Sequence, residues 1–184
     1  MKRLFDVLIS MMLLIPIFPV MLLIAVCIML SEGRPILFFQ IRVGRGGKHF
    51  KLWKFRSMIV DAEKVGSYST EVNDKRITTI GKFIRRTSID ELPQLFNVLV
   101  GDMSLVGPRP DVPQQRSNYS AEQWELRTSV KPGITGLAQA TLRSDATPYE
   151  RLALDLKYVH SKTILLDFGI LLKTAKQILG KGAN

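Results

Sequence analysis

The sequence contains one cysteine, Cys27, set inside an apolar run, so no intrachain disulfide can form. Nothing in the chain points to an oxidising compartment, and Cys27 reads as a small buried hydrophobe. The two histidines, His49 and His160, stand far apart and neither sits in a ligand-spaced cluster. That argues against a zinc site. Acidic residues are also scarce, 16 Asp and Glu against 26 Lys and Arg, for a formal net charge of +10. Such an imbalance asks for an anionic partner: nucleic acid, anionic lipid or a phosphorylated substrate. Charge alone does not choose among them. No internal repeat, low-complexity tract or domain boundary is visible, and 46% hydrophobic residues is too apolar for disorder. The length of 184 residues fits a single domain.

What the chain does have is a long apolar segment. From Val7 to Leu30 no residue carries a formal charge, a run of 24 residues, enough to cross a bilayer. A cleaved signal peptide is a poor reading, because the run is too long and no small-x-small site follows. Lys2 and Arg3 precede the run, and Arg34, Arg42 and Arg45 follow it. Basic residues on both flanks place both ends on the cytoplasmic side, which one crossing cannot satisfy. Pro16 and Pro19 fall mid-run and each removes a backbone donor. The segment is therefore expected to enter the membrane, kink and return to the same face, in preference to a straight span.

Beyond it, Ile36–Val43 and His49–Arg56 are β-rich and flank Gly44–Lys48, which predicts a hairpin. The glycines there are read as a turn and not as a phosphate cradle. Met58–Lys64 is a short helix candidate, and Gly66–Asp74 reads as a surface loop. Ile77, Ile80, Phe83 and Ile84 recur at helical spacing among Lys75, Arg76, Lys82, Arg85 and Arg86. That pattern suits a helix on an anionic membrane surface, or one packed on its own core with a solvated charged face. Gly107–Pro113 and Lys131–Gly136 are expected loops. Tyr149–Val159 and Phe168–Leu179 are helix candidates, the second with Phe168, Leu171, Leu172, Ala175, Ile178 and Leu179 on one broad face. The elements add up to an α+β chain, mainly helical, with a re-entrant membrane helix, a small β-hairpin and amphipathic interfacial helices.

The most informative stretch is Arg85–Gln94. Pro93 is tolerated only in a first helical turn, so a helix is expected to begin near Asp90. Arg85 and Arg86 beside such an N-terminus make a candidate phosphate pocket. A carboxylate there could attack phosphorus or hold a divalent cation. Ordinary capping, by Asp90 or by Ser88 with Glu91, explains the same residues. In Val106–Pro110 two prolines, Pro108 and Pro110, fix Arg109 between them and present its guanidinium for phosphate binding or base stacking. A rigid turn with an exposed arginine is the plainer alternative. Lys54-Phe55-Arg56 could point basic groups at the same anion, and strand alternation accounts for it equally well.

These residues resemble the monotopic bacterial sugar transferases, the polyprenyl-phosphate phosphoglycosyl transferases. The likeness is carried by KRLFD at Lys2–Asp6, KFRSM at Lys54–Met58 and the run SIDELPQLFNVLVGDMSLVGPRP from Ser88 to Pro110. It continues through KPGITGLAQ at Lys131–Gln139 and LLDF at Leu165–Phe168. The resemblance implies one domain over 1–184, with 1–33 as the re-entrant membrane helix and 34–184 as the catalytic part on the cytoplasmic face of the inner membrane. It implies transfer of a phospho-sugar from a UDP-sugar to polyprenyl phosphate, with Asp90 as nucleophile and UMP as leaving group. Glu91 would assist with Mg²⁺ or protons, so Asp90 and Glu91 are the implied metal-site pair. Arg85 aligns with a phosphate-binding arginine, Arg109, with Pro108 and Pro110 around it, with the arginine at the nucleotide, and Lys54 with a required lysine. The family's Ser-Pro break is altered here: Pro19 matches, Phe18 replaces the serine and Pro16 is extra. No multi-span extension or second enzyme domain is seen, which reads as the minimal form.

A non-enzymatic membrane-surface scaffold would explain the anchor and the charge, but gives no reason for Asp90-Glu91 and Pro108-Arg109-Pro110 together. Nucleic-acid binding finds no reader motif. The sugar is not legible, since Ala140–Tyr149, where sugar contacts are expected, differs from familiar members. Assembly, a homodimer included, is left open.

Overall fold

The computed structural model describes residues 1–66, 74–142 and 147–181. The apolar run forms one helix, α1 (Lys2–Glu32), which continues through Pro16 and Pro19. Neither proline can donate, so the carbonyls four residues back, on Met12 and Ile15, lose their helical partners. One stripe of α1 faces the rest of the chain, with Asp6, Ser10, Met21, Ile24 and Ile28 buried on it. Ile9, Leu14, Ile17 and Ala25 pack beside that stripe, and the remaining face is exposed and largely apolar, including Leu8, Met12, Ile15, Phe18, Leu22 and Leu30. The window of mean hydropathy 3.0 within α1 is only 17% buried, which is unlike the core helix of a soluble protein.

Both ends of α1 are bonded to the same folded body. At the start, Arg3 donates to the carbonyls of Val98 and Leu99, Lys2 pairs with Asp167, and the Leu105 amide donates to Asp6. At the finish, Arg56 donates to the carbonyls of Glu32 and Gly33 at 2.8 and 2.9 Å. Arg56 thus holds the helix end, and it also lines the smaller of the cavities at the site.

The hairpin falls within a residue of its expected bounds, with β1 (Leu37–Val43) antiparallel to β2 (His49–Phe55). Met58–Lys64 is mostly not helical. Met58 bridges Ile77, and only a turn of helix follows, α2 (Ala62–Val65). The expected loop at Gly66–Asp74 lies largely outside the described residues. The basic amphipathic helix is α3 (Thr79–Arg86), capped by the Thr78 hydroxyl, which accepts from the Gly81 amide. Ile84 is fully buried against Met21, Ile24, Ile28 and Phe55, whereas Phe83 points out. Gly81 is required by contact: a Cβ there would come within 1.9 Å of the Ser57 carbonyl oxygen.

The second helix start is displaced. Residues Ile89–Glu91 form a 3-10 turn, and α4 (Gln94–Val100) begins after Pro93. Asn97, wholly buried on α4, docks it on β2 by accepting from the Trp53 amide and donating to the Lys51 carbonyl. The Lys131–Gly136 region, expected to be a loop, contains β4 (Gly133–Thr135), parallel to β3 (Ser104–Val106). Close approach made this possible, since a Cβ on Gly133 would meet the Gly107 nitrogen at 2.1 Å. Three-residue strands carry too little alternation to be read from sequence. After β3 the chain adds α5 (Ala121–Thr128), α6 (Leu137–Leu142), α7 (Pro148–Ser161) and α8 (Ile164–Lys181).

The apolar face expected for α8 is divided. Ile170 is buried and Leu171 packs on the core, but Leu165, Phe168 and Leu172 face outward. The rotation is set by polar contacts: Asp167 to Lys2 and Tyr158, and Thr174 to Thr135 at 2.8 Å. Because Lys2 and Arg56 hold opposite ends of α1 to one body, those ends should lie on one side of the membrane. Place one cysteine before Met1 and another at exposed Glu122 in a Cys27→Ser protein, then add an impermeant thiol reagent to intact cells. Both sites should react alike. Reaction at one site only would require α1 to cross and release an end.

Candidate active site

Asp90 sits in the 3-10 turn and is 5% exposed, with no side-chain hydrogen bond among the described residues. Burial raises its pKa from 3.8 to about 6, against the pull of Lys54, with Glu91 raising it further and Arg85 and Arg109 lowering it. Its neighbour is the opposite case. Glu91 is also desolvated, yet Arg109 and Lys54 outweigh burial and hold its carboxyl well below the usual range. One oxygen, Oε1, accepts from Lys54 Nζ at 2.8 Å and from Arg109 Nη2 at 2.7 Å. The two adjacent carboxylates are thereby set apart: Glu91 is held through one oxygen by two cations, whereas Asp90 is a desolvated and more basic carboxylate.

Neither capping explanation for these residues survives the geometry. Ser88 adopts a left-handed backbone and makes no side-chain cap, and the Glu91 carboxylate is spent on cations. Asp90 does not cap α4, which starts four residues later. Arg85 joins the site, lying 3.5 Å from the Ser57 hydroxyl, whereas Arg86 is exposed and stays outside it.

The Arg109 loop is held by its carbonyls. Pro108 O accepts from the Gly133 amide at 2.9 Å, Arg109 O from Arg127 at 2.7 Å, Pro110 O from Arg42 at 2.8 Å and Asp111 O from the Val43 amide at 2.9 Å. Four successive acceptors are therefore fixed, and the Arg109 side chain, 40% exposed, reaches out of a rigid frame. Pro108 and Pro110 are buried and shape this frame without lining either cavity described below. Arg127, 4% exposed, is itself gripped by Asp111 and Asp155. It lay beyond the sequence reading, because one arginine on a short amphipathic helix looks like any surface cation. Arg42 was noted only as a flanking charge.

Two cavities meet at the carboxylate. One, of about 630 Å³, includes Leu13 and Ile17 of α1, Leu171 and Ile178 of α8, and the polar residues Thr135, Gln139 and Arg151. The other, of about 420 Å³, includes Gln40, Arg42, Ser57 and Arg76. Lys54, Arg85, Asp90 and Arg109 line both. No group of three or more His, Cys, Asp or Glu that could cage a metal occurs among the described residues. Asp90 and Glu91 alone suit a hard cation that brings most of its ligands as phosphate oxygens and water.

Comparison with known proteins shows the family of the chain. The family model described as bacterial sugar transferase matches residues 1–181. The UDP-glucose:undecaprenyl-phosphate glucose-1-phosphate transferase of Klebsiella pneumoniae is 43% identical over 99% of this chain and 41% of its own length. Galactosyl transferase CpsE of Streptococcus agalactiae is 46% identical over 84% of this chain and 37% of its own. The chain thus spans about two fifths of those relatives. Exopolysaccharide production protein ExoY of Sinorhizobium fredii is 37% identical, covering 99% of this chain and 87% of the relative.

The raised pKa of Asp90 has a consequence for stability. Its folded value of about 6 lies above the ordinary 3.8, so as pH rises from about 4 to 6 the unfolded chain loses this proton first. Stability from this group is present at low pH and lost through that window, on the order of 2–3 kcal/mol. Asp90→Asn should therefore unfold at a higher temperature than the parent at pH 7, with little difference near pH 4. Thermal unfolding in detergent across that range checks it, and an equal or lower Tm at pH 7 would contradict the burial argument.

Proposed function

Since this chain belongs to the bacterial sugar transferase family, we propose that it transfers a phospho-sugar from a UDP-sugar to a polyprenyl phosphate, releasing UMP. The observation that carries the reading is Asp90: a buried, hydrogen-bond-free carboxylate of raised pKa, with Lys54, Arg85 and Arg109 as its cationic neighbours. At neutral pH it is mostly ionised, and its basicity above an ordinary aspartate suits it to attack.

In the first step an Asp90 oxygen forms a bond to the β-phosphorus, and the bond from that phosphorus to the bridging oxygen breaks, expelling UMP. The enzyme then carries the phospho-sugar as an acyl phosphate. In the second step a phosphate oxygen of the lipid attacks the same phosphorus, the aspartyl bond breaks, and the Asp90 carboxylate returns. Arg109 and Arg85 hold the diphosphate charge, and the clamped loop keeps Arg109 in place while that charge moves. Glu91 orients Lys54 and Arg109, and with Asp90 it would hold Mg²⁺. Mg²⁺, when bound, neutralises the diphosphate and the departing UMP.

The lipid-facing surface of α1 seats the protein in the bilayer as a re-entrant helix, and exposed Phe168 and Leu172 of α8 lie at the interface. Basic residues at both ends of α1 support an active site on the cytoplasmic face of the inner membrane. Supporting the lipid acceptor, the larger cavity reaches Leu13 and Ile17 of that helix.

Incubation with labelled UDP-sugar and Mg²⁺, without lipid, should release one equivalent of UMP per enzyme and leave the label on Asp90 by peptide mass spectrometry. UDP-glucose, UDP-galactose and UDP-N-acetylgalactosamine form the first panel. Asp90→Asn should abolish labelling, and Glu91→Gln should slow it without moving it. A label elsewhere, or UMP release only when lipid is present, would defeat the two-step reading. Because attack requires the carboxylate, kcat/KM should be level above about pH 6 and fall roughly tenfold per unit below it. A limb with its midpoint near 4 would remove Asp90 from that role.

A further inference from the structure

Gln139 was quoted only as part of a motif, and its surroundings give it a task. It lies on α6 and lines the larger cavity together with Asp90, Arg85 and Arg109. Both carboxamide atoms, Oε1 and Nε2, are shut off from solvent and neither has a hydrogen-bond partner among the described residues. The neighbouring polar groups are otherwise occupied. Thr135 and Thr174 bond each other at 2.8 Å, and Gln177 Nε2 donates to the Ala140 carbonyl at 2.9 Å. The backbone beside it leaves room for the carboxamide, because a Cβ on Gly136 would come within 2.7 Å of Gln139 Oε1. A buried amide left unpaired at both ends is costly, and native structures almost always supply it a partner.

We infer that Gln139 is a donor-binding residue that takes a pair of hydroxyls on the sugar of the UDP-sugar, an assignment that rests on the function proposed above. The amide needs a partner that both donates and accepts. A phosphate has only acceptors and a polyprenyl chain has neither, so the lipid substrate does not match. Two vicinal sugar hydroxyls match, one accepting from Nε2 while the other donates to Oε1. The imide edge of uracil has the same two-sided pattern. However, no aromatic ring lines this cavity among the described residues, and bases are ordinarily stacked where proteins read them. Gln139 also directly precedes the Ala140–Tyr149 stretch, where sugar contacts were expected from sequence.

Gln139→Leu separates a ligand role from a structural one. It keeps the bulk and removes the orphaned amide, so its Tm should equal or exceed that of the parent by roughly a few degrees. Its kcat/KM for lipid-independent UMP release should fall at least about tenfold with the preferred donor of the three-sugar panel, as for a lost hydrogen-bond pair. Inhibition by UMP should stay unchanged, because UMP lacks the transferred sugar and keeps only the ribose hydroxyls, to which this assignment gives no part. Gln139→Asn, which withdraws the amide by one methylene, should fall in the same direction and serves if the leucine variant does not fold. Unchanged kcat/KM in the variant that folds would mean that water or protein satisfies the amide, and the assignment would fail. Weaker UMP inhibition in parallel with the lost activity would give Gln139 to the base or the ribose and also overturn it. Failure of the function itself would look different: the parent protein would release no UMP from any donor in the panel.

Discussion

Everything at the site hangs on Glu91, held between Lys54 and Arg109 by a single oxygen. The three residues come from β2, the 3-10 turn and the loop after β3, so this one carboxylate ties three segments distant in sequence. All three side chains are at least partly withdrawn from water. Removing one member of such a group strands the others, which typically costs more than the pair itself contributes. Glu91 also tunes its neighbour. Its negative charge pushes the Asp90 pKa upward, against the downward pull of the Lys54 and Arg109 cations that it holds nearby. A pair of carboxylates one residue apart thus acquires two different characters from one set of contacts.

The clamped loop shows how rigidity is obtained without regular structure. Prolines on either side of Arg109 restrict the backbone, but they also lack donors, so the carbonyls must be satisfied from elsewhere. Gly133, Arg127, Arg42 and Val43 do this in succession. Arg127 can reach a buried carbonyl because Asp111 and Asp155 neutralise it there. That ion cluster links α5 and α7 to the loop, which makes the two helices part of the site although neither supplies a reacting group.

What the sequence showed depended on how local the signal was. The hairpin was legible nearly to the residue, since alternation and a glycine-rich turn are near-neighbour properties. The apolar helix was legible from its length, and Asp90, Glu91, Lys54, Arg85 and Arg109 from motif resemblance. Their convergence on one point was not. Pro93 marked a real boundary, but the chain takes a 3-10 turn first, because Glu91 is drawn to cations that come from 37 residues earlier and 18 later. Likewise α8 was read as one broad apolar face, whereas Asp167 and Thr174 turn it so that part of that face looks outward. Arg86 carried the right charge in the right stretch, and the fold sends it to the surface, whereas Arg56 is shared between the end of α1 and the smaller cavity. Long-range polar contacts decide these outcomes, and no local window contains them.

The docking of Asn97 has a bearing on solubility. A two-stranded hairpin has no interior, and both of its outer edges invite pairing with a stray strand. On the β2 side the Asn97 carboxamide bonds to the Lys51 carbonyl and the Trp53 amide, acting as a one-residue substitute for a third strand. That side of the ribbon is thereby closed to addition of another chain. Lys51 is exposed beside it, a charge that further discourages stacking. One buried asparagine on a seven-residue helix thus does the work of an edge guard against aggregation.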